Sequence, residues 1–121
     1  MRQGLIILVV GGDPERFRAA LSLATSAAAL DRPVRLFLQA EAVPLLRSPI
    51  AALSDQDHAS AGLPTLGELL DAAMDMGVPV TACQSGLALA GLRAGQLPQG
   101  ISFGGLIGVL QAEPDAQVVP F

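Results

Sequence analysis

Tryptophan and tyrosine are absent from the sequence, and phenylalanine occurs only four times in 121 residues. Proteins that bind RNA or single-stranded nucleic acid stack bases on such side chains, so that binding surface is missing. Lysine is absent as well, and seven arginines face 11 acidic residues for a net charge of −4 at pH 7. Because phosphate binding requires clustered positive charge, no nucleic acid partner is expected.

Only one cysteine, Cys83, is present, which excludes an intrachain disulfide and a dithiol redox pair. One cysteine and one histidine do not make a ligand cluster, so no metal site is predicted. Long hydrophobic runs are also absent: the apolar segments 5–10 and 101–110 are too short for a signal peptide or a bilayer span. We therefore expect a cytoplasmic protein with no membrane partner.

Apolar residues, by contrast, are abundant: they make up 51% of the chain, and charged residues only 15%. The length fits a single domain over residues 1–121. The apolar excess favours burial between copies of the chain, and so a homo-oligomer. Segments 103–110 and 118–121 are predicted to form the contacts between copies. It is equally consistent with the sequence that both segments pack in the core of a single copy.

The order of apolar runs and helical patterns predicts an α/β domain. The unbroken branched run at 5–10 is typical of a strand buried on both faces of a parallel sheet. Further strands are predicted at 34–38, 78–82 and 117–121, helices at 14–29, 41–47, 66–76, 86–93 and 103–111, and a loop at 48–62. This alternation indicates a small, doubly wound, mostly parallel sheet of four to five strands with helices on both faces.

Cys83 directly follows the predicted strand 78–82. Open α/β sheets bind ligands at the carboxyl ends of their strands, and the N–H groups and dipole of a following helix favour thiolate over thiol. Cys83 is therefore a candidate nucleophile, and a buried apolar cysteine is an equally weighted alternative. Gln84 and Ser85 can donate hydrogen bonds beside it, although Ser85 is also an ordinary helix N-cap.

Two other segments supply candidate binding residues for a pocket at the same edge of the sheet. The turn Gly11, Gly12 and Asp13 follows the first strand, and its N–H groups can face an anion or the Cys83 sulfur. A plain strand-to-helix turn is the favoured interpretation. His58, in the 48–62 loop, is a candidate base for Cys83, but a solvated loop residue is favoured.

The sequence resembles the DsrE/DsrF-like family in the first strand and its Gly11-Gly12-Asp13 turn, the helix that stops at Gly77, the strand into Cys83, and Gly104-Gly105-Leu106. The resemblance implies a small flavodoxin-like subunit that assembles as a homotrimer or homohexamer. It further implies that Cys83 accepts sulfur as a persulfide and passes it to a cysteine of a partner, as the family's sulfur-relay members do. Sulfur-donor and sulfur-acceptor proteins would then be the partners, and no redox cofactor is needed.

Two other functions stay open on the sequence. A non-catalytic oligomer would bind a small molecule in an apolar pocket framed by Gly11, Cys83 and the loop around His58. A redox-sensing protein would instead oxidise Cys83 to a sulfenic acid or to an intersubunit disulfide. A reactive thiol of low pKa favours relay or sensing, and slow labelling of the native protein favours the binding protein.

Overall fold

A computed structural model of the chain describes residues 3–121, so Met1 and Arg2 of the predicted single domain lie outside the described part. All five strands in that part join one sheet. The strands are β1 (Leu5–Val9), β2 (Val34–Leu38), β3 (Val80–Cys83), β4 (Ser102–Gly104) and β5 (Gln117–Pro120). Every pair is parallel, and the strand order, which the sequence left open, is β4-β3-β2-β1-β5.

Helices connect the strands on both faces of the sheet. They are α1 (Pro14–Ala29), α2 (Asp55–Ser60), α3 (Leu66–Asp75), α4 (Gln84–Leu89) and α5 (Leu106–Ala112), with 3-10 helices at Ala40–Leu46 and Ala94–Gln96. From β1 to β4 the chain moves in one direction, and it then returns to place β5 beyond β1. Because crossovers between parallel strands are right-handed, this return puts α5 on the face opposite α1 and α3.

The two faces carry apolar clusters of unequal size. Along β1, Leu5, Ile7 and Val9 join the large cluster under α1 and α3, whereas Ile6 packs with Phe37 and with Val109 of α5 on the other face. A strand buried on both faces explains the unbroken apolar run in the sequence. The predicted α/β fold, a doubly wound parallel sheet with helices on both faces, is confirmed.

Local signals set the ends of two helices as predicted. The Asp13 carboxylate accepts the N–H of Glu15 at 2.9 Å and caps α1. Thr65 and Glu68 form a reciprocal capping box at the start of α3. Gly77 follows α3 with φ of +85°, a backbone conformation that glycine adopts without strain.

The predicted loop at 48–62 is wrong in part, because it contains α2. This helix buries none of its side chains, so it has no apolar period that the sequence could show. Its Asp55 side chain instead accepts the N–H groups of Ala52 and Leu66, both at 2.9 Å. Hydrogen bonds to neighbouring segments therefore hold α2 in place.

Three other predicted elements have different bounds in the structure. The glycine-rich helix begins at Leu106 and not at residue 103, because Phe103 and Gly104 pair with β3 as part of β4. The strand predicted at 78–82 runs over Val80–Cys83. The helix predicted at 86–93 runs over Gln84–Leu89, so the N-cap position belongs to Cys83 and not to Ser85. Within residues 3–121, no helix combines the length and apolar content needed to cross a bilayer.

Candidate functional site

Cys83 is the last residue of β3 and lies at the carboxyl edge of the sheet. On one side it is paired in register with Gly104 of β4, and α4 begins at the next residue. Its side chain is partly buried and packs against the apolar clusters of both sheet faces. The single cysteine thus lies at the sheet edge where open α/β folds bind their ligands.

Four polar groups near Cys83 lower the pKa of its thiol: the backbone N–H groups of Gly86, Ala40 and Ser85, and the Ser85 hydroxyl. Burial raises the pKa of the Cys83 thiol, but these donors together lower it by more, so the pKa lies below its usual value. The thiolate, which is the nucleophilic form, is therefore favoured. We call Ala40, Ser85 and Gly86 the sulfur cradle.

The cradle depends on a close approach between α4 and the 3-10 helix Ala40–Leu46. A Cβ atom on Gly86 would lie 2.6 Å from Val43 Cγ2 and 2.8 Å from the Ala40 carbonyl oxygen, so only glycine fits. Ala40 itself has φ of +50°, which is uncommon for a residue with a side chain. This local geometry brings N–H groups from two separate segments to one sulfur.

Sequence reasoning found Ser85 but missed Ala40 and Gly86 as site residues. Ala40 contributes only its backbone N–H, which no side chain announces. Gly86, three residues after Cys83, was a usable signal, because a buried glycine in a helix often marks a close backbone approach. Gln84, also predicted, is exposed at the first position of α4.

The predicted turn of Gly11, Gly12 and Asp13 lies beside the same 3-10 helix. A Cβ atom on Gly12 would lie 3.1 Å from the Glu41 carbonyl oxygen. The Asp13 side chain is engaged as the cap of α1. This arrangement fits a strand-to-helix turn that packs against the segment carrying Ala40, and the donors to the sulfur come from other residues.

His58 belongs to a charged cluster between α1 and α2. Its Nε2 lies 3.7 Å from Glu15 Oε1, while Arg18 Nη2 lies 2.8 Å from Asp55 Oδ1 and Arg18 Nε 3.4 Å from Glu15 Oε1. The Ser54 hydroxyl donates to Glu15 and is the main cause of the lowered pKa of that carboxyl. The structure therefore engages His58 with an acidic partner on α1, and the donors to the Cys83 sulfur do not include it.

An open groove of about 320 Å³ borders the sulfur cradle. Its lining comprises Ala40, Glu41, Pro44, Gly86, Leu89 and Ala90. Ala40 and Gly86 therefore belong to both the cradle and the groove, and none of the six predicted binding residues lines it. Among residues 3–121, no group of three or more His, Cys, Asp or Glu side chains is placed to hold a metal ion.

The fold has known relatives. Residues 3–120 match the model of the DsrE/DsrF-like family. The chain therefore belongs to the DsrE/DsrF-like family, and the resemblance seen in the sequence is confirmed. No curated protein matches the sequence significantly.

Solved structures share the fold over nearly the whole chain. The crystal structure of the ychN protein from E. coli is similar with a TM-score of 0.74 and 23% identity, covering 100% of both chains. The protein of unknown function MTH1491 from Methanobacterium thermoautotrophicum has a TM-score of 0.65 and 18% identity, covering 98% of this chain and 99% of its own. BT1422 from Bacteroides thetaiotaomicron, also of unknown function, has a TM-score of 0.70 and 14% identity, covering 98% and 95%.

Proposed function

We propose that the protein is a persulfide carrier in which Cys83 holds sulfane sulfur and passes it to a thiol of a partner protein. The observation that carries the proposal is the sulfur cradle, which lowers the pKa of a partly buried thiol at the ligand-binding edge of the sheet. Membership of a family with sulfur-relay members supports it. A free thiol carrier requires a reducing compartment, so we propose the cytoplasm as its location.

Uptake and release are two thiol exchanges. The Cys83 thiolate attacks the outer sulfur of a donor persulfide, the donor S–S bond breaks, and the donor leaves as a thiolate. A partner thiolate then attacks the outer sulfur of the Cys83 persulfide, and Cys83 leaves as a thiolate. Sulfur oxidation states balance over each exchange, so no external oxidant or reductant takes part.

The cradle assists both states of the carrier. Its N–H groups stabilise the Cys83 thiolate as nucleophile before uptake and as leaving group after release. The hydroxyl of Ser85 can turn toward either sulfur of a persulfide anion, since its C–O bond rotates freely. One cysteine is sufficient, because each exchange leaves the protein with a single thiol or a single persulfide.

Incubation with cysteine persulfide is expected to add the mass of one sulfur atom to the native protein. The addition should be reversed by dithiothreitol and should be absent from Cys83→Ser, as measured by intact-mass spectrometry. Ser26→Ala, which removes an exposed hydroxyl from α1, is the surface control and should load like the wild type.

Two other results would contradict the carrier proposal. Absence of the sulfur adduct, together with Cys83 that is alkylated only after unfolding, would indicate a structural thiol and favour a binding protein. A gain of oxygen, or an intersubunit disulfide at Cys83 in place of stable persulfide, would favour a redox sensor.

We also propose that the chain assembles as a homotrimer or homohexamer through the α5 side of the sheet. Ile107 and Leu110 of α5 are 75% and 42% exposed, and Val118 of β5 is 44% exposed. Val118 pairs in register with Ile6, so its side chain lies on the sheet face that α5 covers. Contact between copies would remove this apolar surface from water.

Ile107→Asp is expected to shift the assembly toward monomer in sedimentation equilibrium, because a carboxylate would be buried in the contact. Leu53→Asp is the matched control: Leu53 is fully exposed before α2 and should leave the assembly unchanged. A wild-type protein that sediments as a monomer at working concentration would refute the proposal.

A further inference from the structure

We propose that the groove beside the cradle is the docking site for the segment of the sulfur acceptor that carries its cysteine, and that this segment is apolar and positively charged. The groove is the one lined by Ala40, Glu41, Pro44, Gly86, Leu89 and Ala90. The inference rests on the proposed function and specifies the partner's chemistry.

Continuity with the sulfur cradle places an occupant of the groove next to the reacting atom. Gly86 lies three residues after Cys83 in α4 and packs against Ala40, whose carbonyl oxygen would lie 2.8 Å from a Cβ atom on Gly86, and the same two residues line the groove. A thiol held at the Ala40 and Gly86 end of the groove would then approach the outer sulfur of a Cys83 persulfide. Holding the two reacting groups together replaces a bimolecular encounter by an intramolecular one.

The size and lining of the groove favour a short apolar segment. Its volume, about 320 Å³, is at the lower end of the usual range for ligand sites, so it admits a few side chains. Leu89 is 85% exposed, and Pro44 and Ala90 are exposed beside it. An apolar side chain next to the acceptor cysteine would cover this surface and remove it from water.

The charge of the groove specifies the flanking residue of the acceptor. Within residues 3–121, Glu41 is the only ionisable residue in the lining, and its side chain is exposed at the rim. Its carboxylate attracts a lysine or arginine beside the incoming cysteine and repels anionic thiols such as glutathione. The groove therefore favours a basic protein segment over the abundant small anionic thiols.

Two methanethiosulfonate reagents test the charge preference without any sulfur transfer. One carries a trimethylammonium group and the other a sulfonate; each forms a mixed disulfide with the Cys83 thiolate and releases methanesulfinate. Relative to their rates with free cysteine, the cationic reagent is expected to react about three- to tenfold faster at low salt. Added salt should reduce this ratio. The ratio does not depend on the fraction of Cys83 that is thiolate, because both reagents react with the same thiolate.

Glu41→Gln is expected to bring the ratio close to that of free cysteine. Asp71→Asn removes one charge from the exposed face of α3 and should leave the ratio unchanged. A wild-type ratio near that of free cysteine, or one that both variants lower equally, would overturn the docking proposal.

A second measurement uses the sulfur-loaded protein and two model peptides. One peptide has leucine before and arginine after its cysteine, and in the other glutamate replaces the arginine. Transfer to the arginine peptide should be faster, and Leu89→Ser should slow transfer to it more than it slows transfer to free cysteine. Equal rates for the two peptides would contradict docking in the groove. Failure of Cys83 to load at all, with the reagent ratio intact, would instead refute the carrier function and leave the groove as a cation-selective site.

Discussion

Gly86→Ala is expected to raise the pKa of Cys83 and to destabilise the protein by about 1–3 kcal/mol. The added methyl carbon would lie 2.6 Å from Val43 Cγ2 and 2.8 Å from the Ala40 carbonyl oxygen. Val43 is fully buried and cannot turn aside, so α4 and the 3-10 helix Ala40–Leu46 must separate. Their N–H groups would then move away from the sulfur. The effect of burial, which raises the pKa of Cys83, would be less fully opposed by groups that lower it.

The sign of the stability change is itself diagnostic. In an unconstrained helix, alanine is more stable than glycine by about 1 kcal/mol, so a loss at Gly86 indicates the clash. Gly95→Ala is the matched control: Gly95 is exposed in the 3-10 helix Ala94–Gln96, and a Cβ atom there meets nothing within 4 Å. The rate of Cys83 alkylation against pH reports the pKa, and urea unfolding reports the stability. The same pH profile and stability in both variants would contradict this account of the cradle.

The fold was predictable because its main signals are local. The apolar run of β1 records burial on both faces of a sheet, and the capping box of Thr65 and Glu68 marks the start of α3. The position of Cys83 followed from the same pattern, since a residue between a parallel strand and the next helix lies at the carboxyl edge of the sheet.

The rest of the site was hidden because it is made by backbone atoms and distant segments. Ala40 is 43 positions before Cys83 and contributes an N–H group that any residue but proline possesses. The backbone of Ala40 has a left-handed φ, which a sequence usually indicates by a glycine; the alanine at this position gives no such indication. Helix α2 was hidden for a related reason: it buries no side chain, and Asp55 holds it by contacts with α1 and α3.

Asp55→Ala is expected to destabilise the protein by about 2–4 kcal/mol, the second large effect that the structure predicts. One oxygen of Asp55 accepts from Arg18 Nη2 at 2.8 Å and from the N–H of Leu66, and the other accepts the N–H of Ala52. Arg18 is the one charged or polar residue of the described chain that is buried. Removal of the Asp55 carboxylate therefore leaves the guanidinium of Arg18 buried with too few partners to offset its loss of hydration. Hydrogen exchange should show the loss first in α2 and at the start of α3.

Asp57→Ala provides the control, because Asp57 also belongs to the first turn of α2 but is exposed; its effect should stay within about 0.5 kcal/mol.

The effect of Asp55→Ala should also depend on pH. The N–H of Leu66 is the main cause of the lowered pKa of Asp55, and Ala52 and Arg18 lower it further against the opposing effect of burial. Since the folded pKa lies below the unfolded value of 3.8, the stability from ionised Asp55 is present above that pH and is lost as the pH falls through the folded pKa. Urea unfolding should therefore show a difference in the free energy of unfolding between wild type and Asp55→Ala at pH 7, and this difference should narrow below pH 3.8. A difference that stays constant on acidification, or one that Asp57→Ala reproduces, would show that the Asp55 carboxylate does not hold these segments together.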